Sequence, residues 1–286
     1  MKYRSLLVPI LLIFSATAAP AGTIEAVQHG APGSRPLIFV PGLASSATLW
    51  SPWVERFGDD FEIHVVGVRG FAELPASHAL TIAAIADDLA TYLVDQDLKD
   101  VVIIGHSVGG MIAMQTANQS DRVGELVLVD SLPFTAGLFV PGITPDAATA
   151  MADSLRTAMK STPEDAFRAQ QRAGLAIYTK TASFLPTLIE WSDASDVSAV
   201  TDIYTDLFAT DYRAALATID APIHVLAAWD ESMNVPREQL ASIFTGQYAM
   251  HANTSLTVIG NTLHFIMVDQ PDAFAGALLR VLGEEE

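Results

Sequence analysis

Short, uninterrupted apolar stretches recur along the chain and alternate with longer segments of helical periodicity. Their β-branched content and lack of polar alternation are typical of strands buried on both faces, as in a parallel sheet covered by helices. In one intervening segment, Ile82, Ile85, Leu89 and Leu93 fall on a single helical face. The alternation predicts an α/β fold with a mostly parallel central sheet and helices on both faces. The strand candidates are 37–40, 61–66, 101–104, 126–129, 223–228 and 256–259.

One long segment interrupts this alternation. From 132 to 214 no strand candidate occurs, and helix-like segments follow one another instead. Because strand candidates resume afterwards, we expect a helical cap at about 133–214, inserted into a single domain that spans 22–286. The helix-like segments of the cap are 146–160, 163–175, 183–191 and 196–209.

The first residues differ in character from the rest. Two basic residues precede an apolar stretch at 6–14, and a run of small residues follows it. This order is typical of a secretory signal peptide at 1–21, cleaved after Ala18 or Ala21. The apolar stretch is shorter than the roughly 20 residues that a membrane-spanning helix needs. We therefore expect an exported protein, periplasmic or extracellular, with no membrane association after cleavage.

Charge and composition narrow the range of partners. The 286 residues include 15 Lys and Arg against 33 Asp and Glu, which gives a net charge of −18. Such a surface repels phosphate backbones and anionic lipids, so we expect no nucleic-acid partner. The absence of cysteine excludes thiol nucleophiles and cysteine-ligated metals. No histidine pair has metal-ligand spacing with acidic partners, and no dinucleotide-binding motif follows a strand, so neither a metal nor a cofactor is expected.

A candidate nucleophile lies in the segment Gly105–Gly110, with the sequence GHSVGG. The motif G-x-S-x-G alone is weakly specific, but here a buried-strand candidate precedes it and a helix-like segment follows it. Such a sharp strand-to-helix turn exposes the Ser107 hydroxyl, and glycines are needed where a side chain would collide with neighbouring elements. The helix N-terminus also favours a developing oxyanion.

A candidate base and its acid follow later strand candidates. His264 lies on a loop beyond the last strand candidate, in the final position of the order Ser…Asp…His. A carboxylate must orient its ring, and Asp230, at the end of the strand candidate at 223–228, has a suitable position. Two alternatives remain open: the adjacent Glu231, and Asp130 at the end of the preceding strand candidate.

These segments resemble the α/β-hydrolase superfamily, especially its capped esterase and haloperoxidase-like branch. The resemblance covers roughly 35–282 and rests on the turn around Ser107, on Asp230 with Val235 and Pro236, and on His264. It also includes Val40-Pro41-Gly42-Leu43 and the segment Asp269-Gln270-Pro271 after the histidine.

The resemblance implies an oxyanion hole formed by the backbone N–H groups of Leu43 and Val108. The sequence departs from the family pattern in two loops. Pro41 replaces the histidine often found before the first-loop glycine, and the segment 67–71 lacks the aspartate common in the next turn.

Together these residues predict acyl transfer to water, with an exported esterase acting on small or medium apolar esters as the leading hypothesis. The serine disfavours dehalogenase and epoxide hydrolase chemistry, which in this family use aspartate at the same turn. A lactonase or amidase with the same triad is an alternative. A non-catalytic member of the fold that binds a ligand is another.

Overall fold

The computed structural model describes residues 22–77 and 80–284. The predicted signal peptide at 1–21 lies outside the described residues. Within them one sheet contains β1 (Ile24–Gly30), β2 (Pro36–Val40), β3 (Glu62–Val68), β4 (Val101–His106), β5 (Val123–Val129), β6 (Ile223–Trp229) and β7 (Thr254–Gly260).

Helices follow most of the strands. They are α1 (Ser51–Phe57), α2 (Ile82–Asp95), α3 (Val108–Gln119), α4 (Ala136–Phe139), α5 (Pro145–Ser161), α6 (Glu164–Gly174), α7 (Leu185–Ala194), α8 (Val197–Ala209), α9 (Arg237–Gln247), α10 (Ile266–Asp269) and α11 (Pro271–Leu282). Short 3₁₀ turns are Ala47–Trp50, Leu175–Ile177, Ala182–Phe184, Ala214–Thr218 and Glu231–Met233.

The strand order in the sheet is β1-β3-β2-β4-β5-β6-β7. All neighbours from β3 through β7 pair in parallel, and β1 pairs antiparallel with β3 at the edge. The predicted α/β-hydrolase fold, with a mostly parallel sheet and helices on both faces, is confirmed. The sequence missed β1, because most of its side chains are exposed and its apolar residues are few.

The sheet is buried on both faces, which explains the uninterrupted apolar stretches. In β2, Ile38 and Val40 pack with side chains of α2 and α3, while Leu37 and Phe39 pack on the opposite face with those of α1 and α11. All four side chains are inaccessible to solvent. Burial of this kind supplies the largest favourable contribution to folding.

Between β5 and β6 the described chain forms helices and 3₁₀ turns but no strand, where the sequence places the helical cap. We call residues 136–218 the helical insertion. Two of its helices begin at side-chain caps, because Thr144 and Asp196 accept hydrogen bonds from backbone amides of the first turn. The insertion is tied to the sheet domain where Asp206 accepts the Ile82 amide hydrogen at 2.7 Å. In the part of the chain with described structure, no helix is long and apolar enough to cross a bilayer.

The turn between β4 and α3 packs tightly on its surroundings. A Cβ atom at Gly109 would lie 2.5 Å from the carbonyl oxygen of Val40 and 2.6 Å from that of Pro41. A Cβ at Gly105 would lie 2.3 Å from the carbonyl oxygen of Gly109. Backbone atoms cannot rotate away, so these positions require glycine for space.

We expect Gly109→Ala to lower the free energy of unfolding by about 1–3 kcal/mol, the usual cost of overpacking a filled site. Gly174→Ala is the matched control, because a Cβ there meets nothing within 4 Å. Alanine at this helical position should leave stability equal or raise it by up to about 1 kcal/mol. Urea unfolding of both variants measures the difference, and equal stability of the two would contradict the packing argument.

Candidate active site

The carboxyl ends of the parallel strands meet at one edge of the sheet, where the candidate residues collect. Ser107 follows β4 and Asp130 follows β5. His106 pairs with Val129 across these strands, so Ser107 and Asp130 are the next residues on neighbouring strands. His264 lies on the loop after β7. Residues far apart in sequence therefore face one site, as ligand-binding residues do in open α/β sheets.

Ser107 has the backbone conformation expected of an exposed nucleophile on a sharp turn. Its φ of 56° and ψ of −122° are unusual for a residue with a side chain. The Ser107 amide donates to the Val129 carbonyl at 2.9 Å, and the Gly110 amide donates to the Ser107 carbonyl at 2.9 Å. Such conformations cost about 1–3 kcal/mol and persist where the surroundings enforce them. The hydroxyl does not cap the helix α3 that begins at Val108.

His264 and Asp130 form the central contact of the site. The Nδ1 atom of the imidazole lies 2.6 Å from Oδ2 of the carboxylate. Oδ1 of Asp130 accepts the Ala228 amide hydrogen at 3.0 Å, so β6 fixes the carboxylate in place. Because the contact occupies Nδ1, the Nε2 atom remains available to exchange a proton with a substrate or nucleophile.

His106 precedes Ser107 in the chain and contacts His264. Its ring centroid lies 4.5 Å from that of His264, and its Nε2–H donates to the His264 carbonyl oxygen at 3.0 Å. Burial, reinforced by proximity to His264, holds the pKa of His106 well below its usual range, so the ring is neutral. In the described chain no hydrogen bond joins the Ser107 hydroxyl to His264. In unliganded enzymes such bonds are often long and tighten on substrate binding.

The predicted pairing of His264 with Asp230 is wrong, and Asp130 takes that place. Oδ1 of Asp230 accepts hydrogen bonds from the Ser232 amide at 3.0 Å and hydroxyl at 2.6 Å. Its Oδ2 atom forms an ion pair with Lys180. The Lys180 ammonium and the Ser232 hydrogen bonds lower the pKa of Asp230 to about 2. The third alternative, Glu231, is exposed in the 3₁₀ turn after β6.

No local signal in the sequence separates Asp230 from Asp130, since each follows a buried strand. Lys180 competes with His264 for the Asp230 carboxylate, and it lies 50 residues away in the helical insertion. Asp130 is distinguished by its strand, because β5 is the direct neighbour of the strand that carries Ser107. Its positive φ of 47° further turns the chain at the edge of the sheet.

The loop after β2 approaches the serine closely. A Cβ atom at Gly42 would lie 3.3 Å from Cβ of Ser107 and 2.7 Å from Nδ1 of His106. Within the described residues, the amides of Leu43 and Val108 donate no hydrogen bond to another part of the chain. Both N–H groups implied as oxyanion donors are therefore unpaired.

The helical insertion contacts His264 and the residue that follows it. The ring of Tyr178 lies 5.6 Å from that of His264, and the Phe265 amide donates to the Tyr178 carbonyl oxygen at 3.1 Å. Phe184, whose ring lies 5.3 Å from that of Phe265, lines an apolar groove with a volume of about 460 Å³. Its lining residues are Thr48, Leu49, Pro52, Trp53, Arg56, Phe184, Thr187, Trp191, Met267, Val268 and Pro271.

Comparisons with known proteins agree with the fold. The model of the alpha/beta hydrolase family matches residues 37–277. The chain belongs to the alpha/beta hydrolase family. Its sequence is 27% identical over 244 residues to a pimeloyl-[acyl-carrier protein] methyl ester esterase from Pectobacterium carotovorum, covering 85% of this chain and 92% of that protein. The expected family resemblance is confirmed.

Solved structures of low sequence identity share the fold of this alpha/beta hydrolase. A hydrolase from Pseudomonas aeruginosa PA01 has a TM-score of 0.76 at 19% identity, covering 94% of this chain and 99% of its own. A bromoperoxidase from Bacillus anthracis has a TM-score of 0.75 at 17% identity, with coverages of 91% and 95%.

Among the described residues, no group of three histidine, aspartate or glutamate side chains is arranged to hold a metal ion.

Proposed function

We propose that this alpha/beta hydrolase is a serine esterase that cleaves carboxylic esters of small to medium apolar substrates through an acyl-enzyme intermediate. The observation that carries the proposal is the contact between His264 and Asp130, at 2.6 Å. It leaves the imidazole with one free nitrogen at the edge of the sheet where the strained turn presents Ser107.

In the first half-reaction, the Ser107 oxygen attacks the ester carbonyl carbon while His264 Nε2 takes the hydroxyl proton. The Asp130 carboxylate stabilises the resulting imidazolium. The tetrahedral oxyanion accepts hydrogen bonds from the amides of Leu43 and Val108, each typically worth about 3 kcal/mol of barrier. The imidazolium then returns its proton to the departing alkoxide, and an acyl-serine remains.

The second half-reaction uses the same groups. A water molecule attacks the acyl carbonyl carbon and gives its proton to Nε2. Collapse of the second tetrahedral intermediate breaks the bond to the serine oxygen, which recovers the proton from the imidazolium. The carboxylic acid leaves, and the enzyme returns to its starting state without a cofactor.

The substrate class is supported by two observations. The sequence relative from Pectobacterium carotovorum is named as a methyl ester esterase, and the identity extends over most of both chains. The apolar groove, with Trp53, Phe184 and Trp191 in its wall, suits hydrocarbon better than charged groups. The net charge of −18 likewise disfavours polyanionic substrates. We further propose that the enzyme acts after export, as the N-terminal sequence predicts.

Ser107→Ala tests the nucleophile. We expect turnover of a p-nitrophenyl acyl ester by the protein lacking residues 1–21 to fall at least about 10⁴-fold, with an unchanged circular dichroism spectrum. A fluorophosphonate probe should label the parent protein and not the variant. Undiminished turnover would refute the serine mechanism. A parent protein that neither turns over esters, lactones or amides nor reacts with the probe would indicate a non-catalytic member of the family.

Asp130→Asn and Asp230→Asn form a matched pair that tests the identity of the acid. Each replaces a carboxylate by an amide of the same shape at the end of a strand. Asp130→Asn should lower kcat by about 10⁴-fold, because the amide can present the wrong hydrogen-bonding group to Nδ1. Asp230→Asn should cost less than about tenfold, since it weakens only a partly exposed ion pair. The reverse order of the two losses, measured as kcat on one ester, would reassign the acid to Asp230.

A further inference from the structure

Asp269, at the end of α10, has a hydrogen-bonding arrangement that the proposed reaction does not use. Its Oδ1 atom accepts from the hydroxyls of Thr179 at 2.7 Å and Thr181 at 2.9 Å. The same oxygen accepts from the amides of Lys180 and Thr181, each at 3.0 Å. All these donors belong to one short segment of the helical insertion.

The other oxygen of Asp269 binds the loop that carries the base. Oδ2 accepts from the Leu263 amide at 3.0 Å and from the Thr262 hydroxyl at 3.3 Å. It also accepts from the Lys180 amide at 3.0 Å. One carboxylate therefore joins the insertion to the residue immediately before His264.

Further contacts run along the same seam. The Lys180 ammonium reaches Oδ1 of Asn261 at 2.6 Å, and the Phe265 amide donates to the Tyr178 carbonyl at 3.1 Å. The segments 178–181 and 261–265 are thus connected on both sides of His264. We call this set of contacts, with Asp269 at its centre, the seam.

The chemistry of the seam requires an ionised carboxylate. Burial by itself raises the pKa of Asp269, but the hydrogen bonds from Leu263, Thr179 and Lys180 outweigh burial and lower it. Every partner donates a hydrogen, and a carboxylate is an acceptor at both oxygens. An asparagine amide would place a donor against donors on one side, so an isosteric substitution breaks the contacts on that side.

We propose that Asp269 is a positioning residue, which fixes the main chain before His264 against the helical insertion and so holds the imidazole between Asp130 and Ser107. The proposal rests on the proposed function. It also gives the insertion a part in the reaction, because displacement of 178–181 moves the loop that carries the base.

Asp269→Asn tests the proposal, with Asp272→Asn as the matched control. Asp272 lies three residues away, its side chain is 98% exposed, and it forms an ion pair with Arg56 at 3.4 Å. Both substitutions remove one negative charge without a change of shape. Hydrogen exchange measured by mass spectrometry on peptides covering 178–181 and 261–265 reports on the seam itself, whether or not the protein has esterase activity.

In Asp269→Asn we expect exchange to accelerate at least about tenfold in the segment that faces the new NH₂ group, because the backbone amides there lose their acceptor. We expect kcat on a p-nitrophenyl ester to fall about 10²-fold, as for a misplaced catalytic group, with KM changing much less. The Nδ1 proton resonance of His264 should weaken or shift. Asp272→Asn should match the parent protein in all three measurements.

If Asp269→Asn does not fold, Thr181→Val removes one donor from the seam, and a smaller change of the same sign is expected. Unchanged exchange in both segments would overturn the proposal, as would accelerated exchange with kcat equal to that of Asp272→Asn. Failure of the esterase mechanism itself is seen separately, as turnover that survives Ser107→Ala, and it leaves the exchange result as the test of the seam.

Discussion

The parallel pairing from β3 through β7 is the constraint on which the site depends. Parallel strands that pair side by side end at the same edge, so each loop that follows a strand there faces its neighbours. β4 delivers Ser107, the adjacent β5 delivers Asp130, and the loop after β7 returns His264 across two strands. The register fixes the first pair closely, since His106 and Val129 are partners one residue earlier. Gly105 and Gly109 allow the turn that carries Ser107 to pack closely on the end of β2 and on its own helix.

Competition among hydrogen-bond donors determines which of the two aspartates contacts His264. Asp230 is satisfied by its own turn and by Lys180, whereas Asp130 has one oxygen on the Ala228 amide and the other on His264. A carboxylate already engaged by an ammonium group is a poor partner for an imidazole that becomes positive in the proposed reaction. Lys180, which belongs to the helical insertion, therefore helps to decide which aspartate contacts His264.

The sequence predicts the features that local chemistry determines. Ser107 is recognisable because glycines and a strand-turn-helix pattern are all close to it in the chain, and His264 because it follows the last strand. The sequence does not reveal which aspartate meets the base, since Lys180 decides that from a distant segment. The edge strand β1 lacks apolar periodicity, and Asp269 draws several of its partners from a segment about 90 residues away. Such contacts have no signature in a single sequence.

The most direct test of the account is a crystal structure of the protein lacking residues 1–21 after reaction with an alkyl fluorophosphonate, whose adduct resembles the tetrahedral intermediate. We predict a bond from phosphorus to the Ser107 oxygen and a phosphonyl oxygen within about 3 Å of the Leu43 and Val108 amides. His264 should lie between the adduct and Asp130. An adduct on another residue, or an imidazole bound to Asp230, would contradict the account.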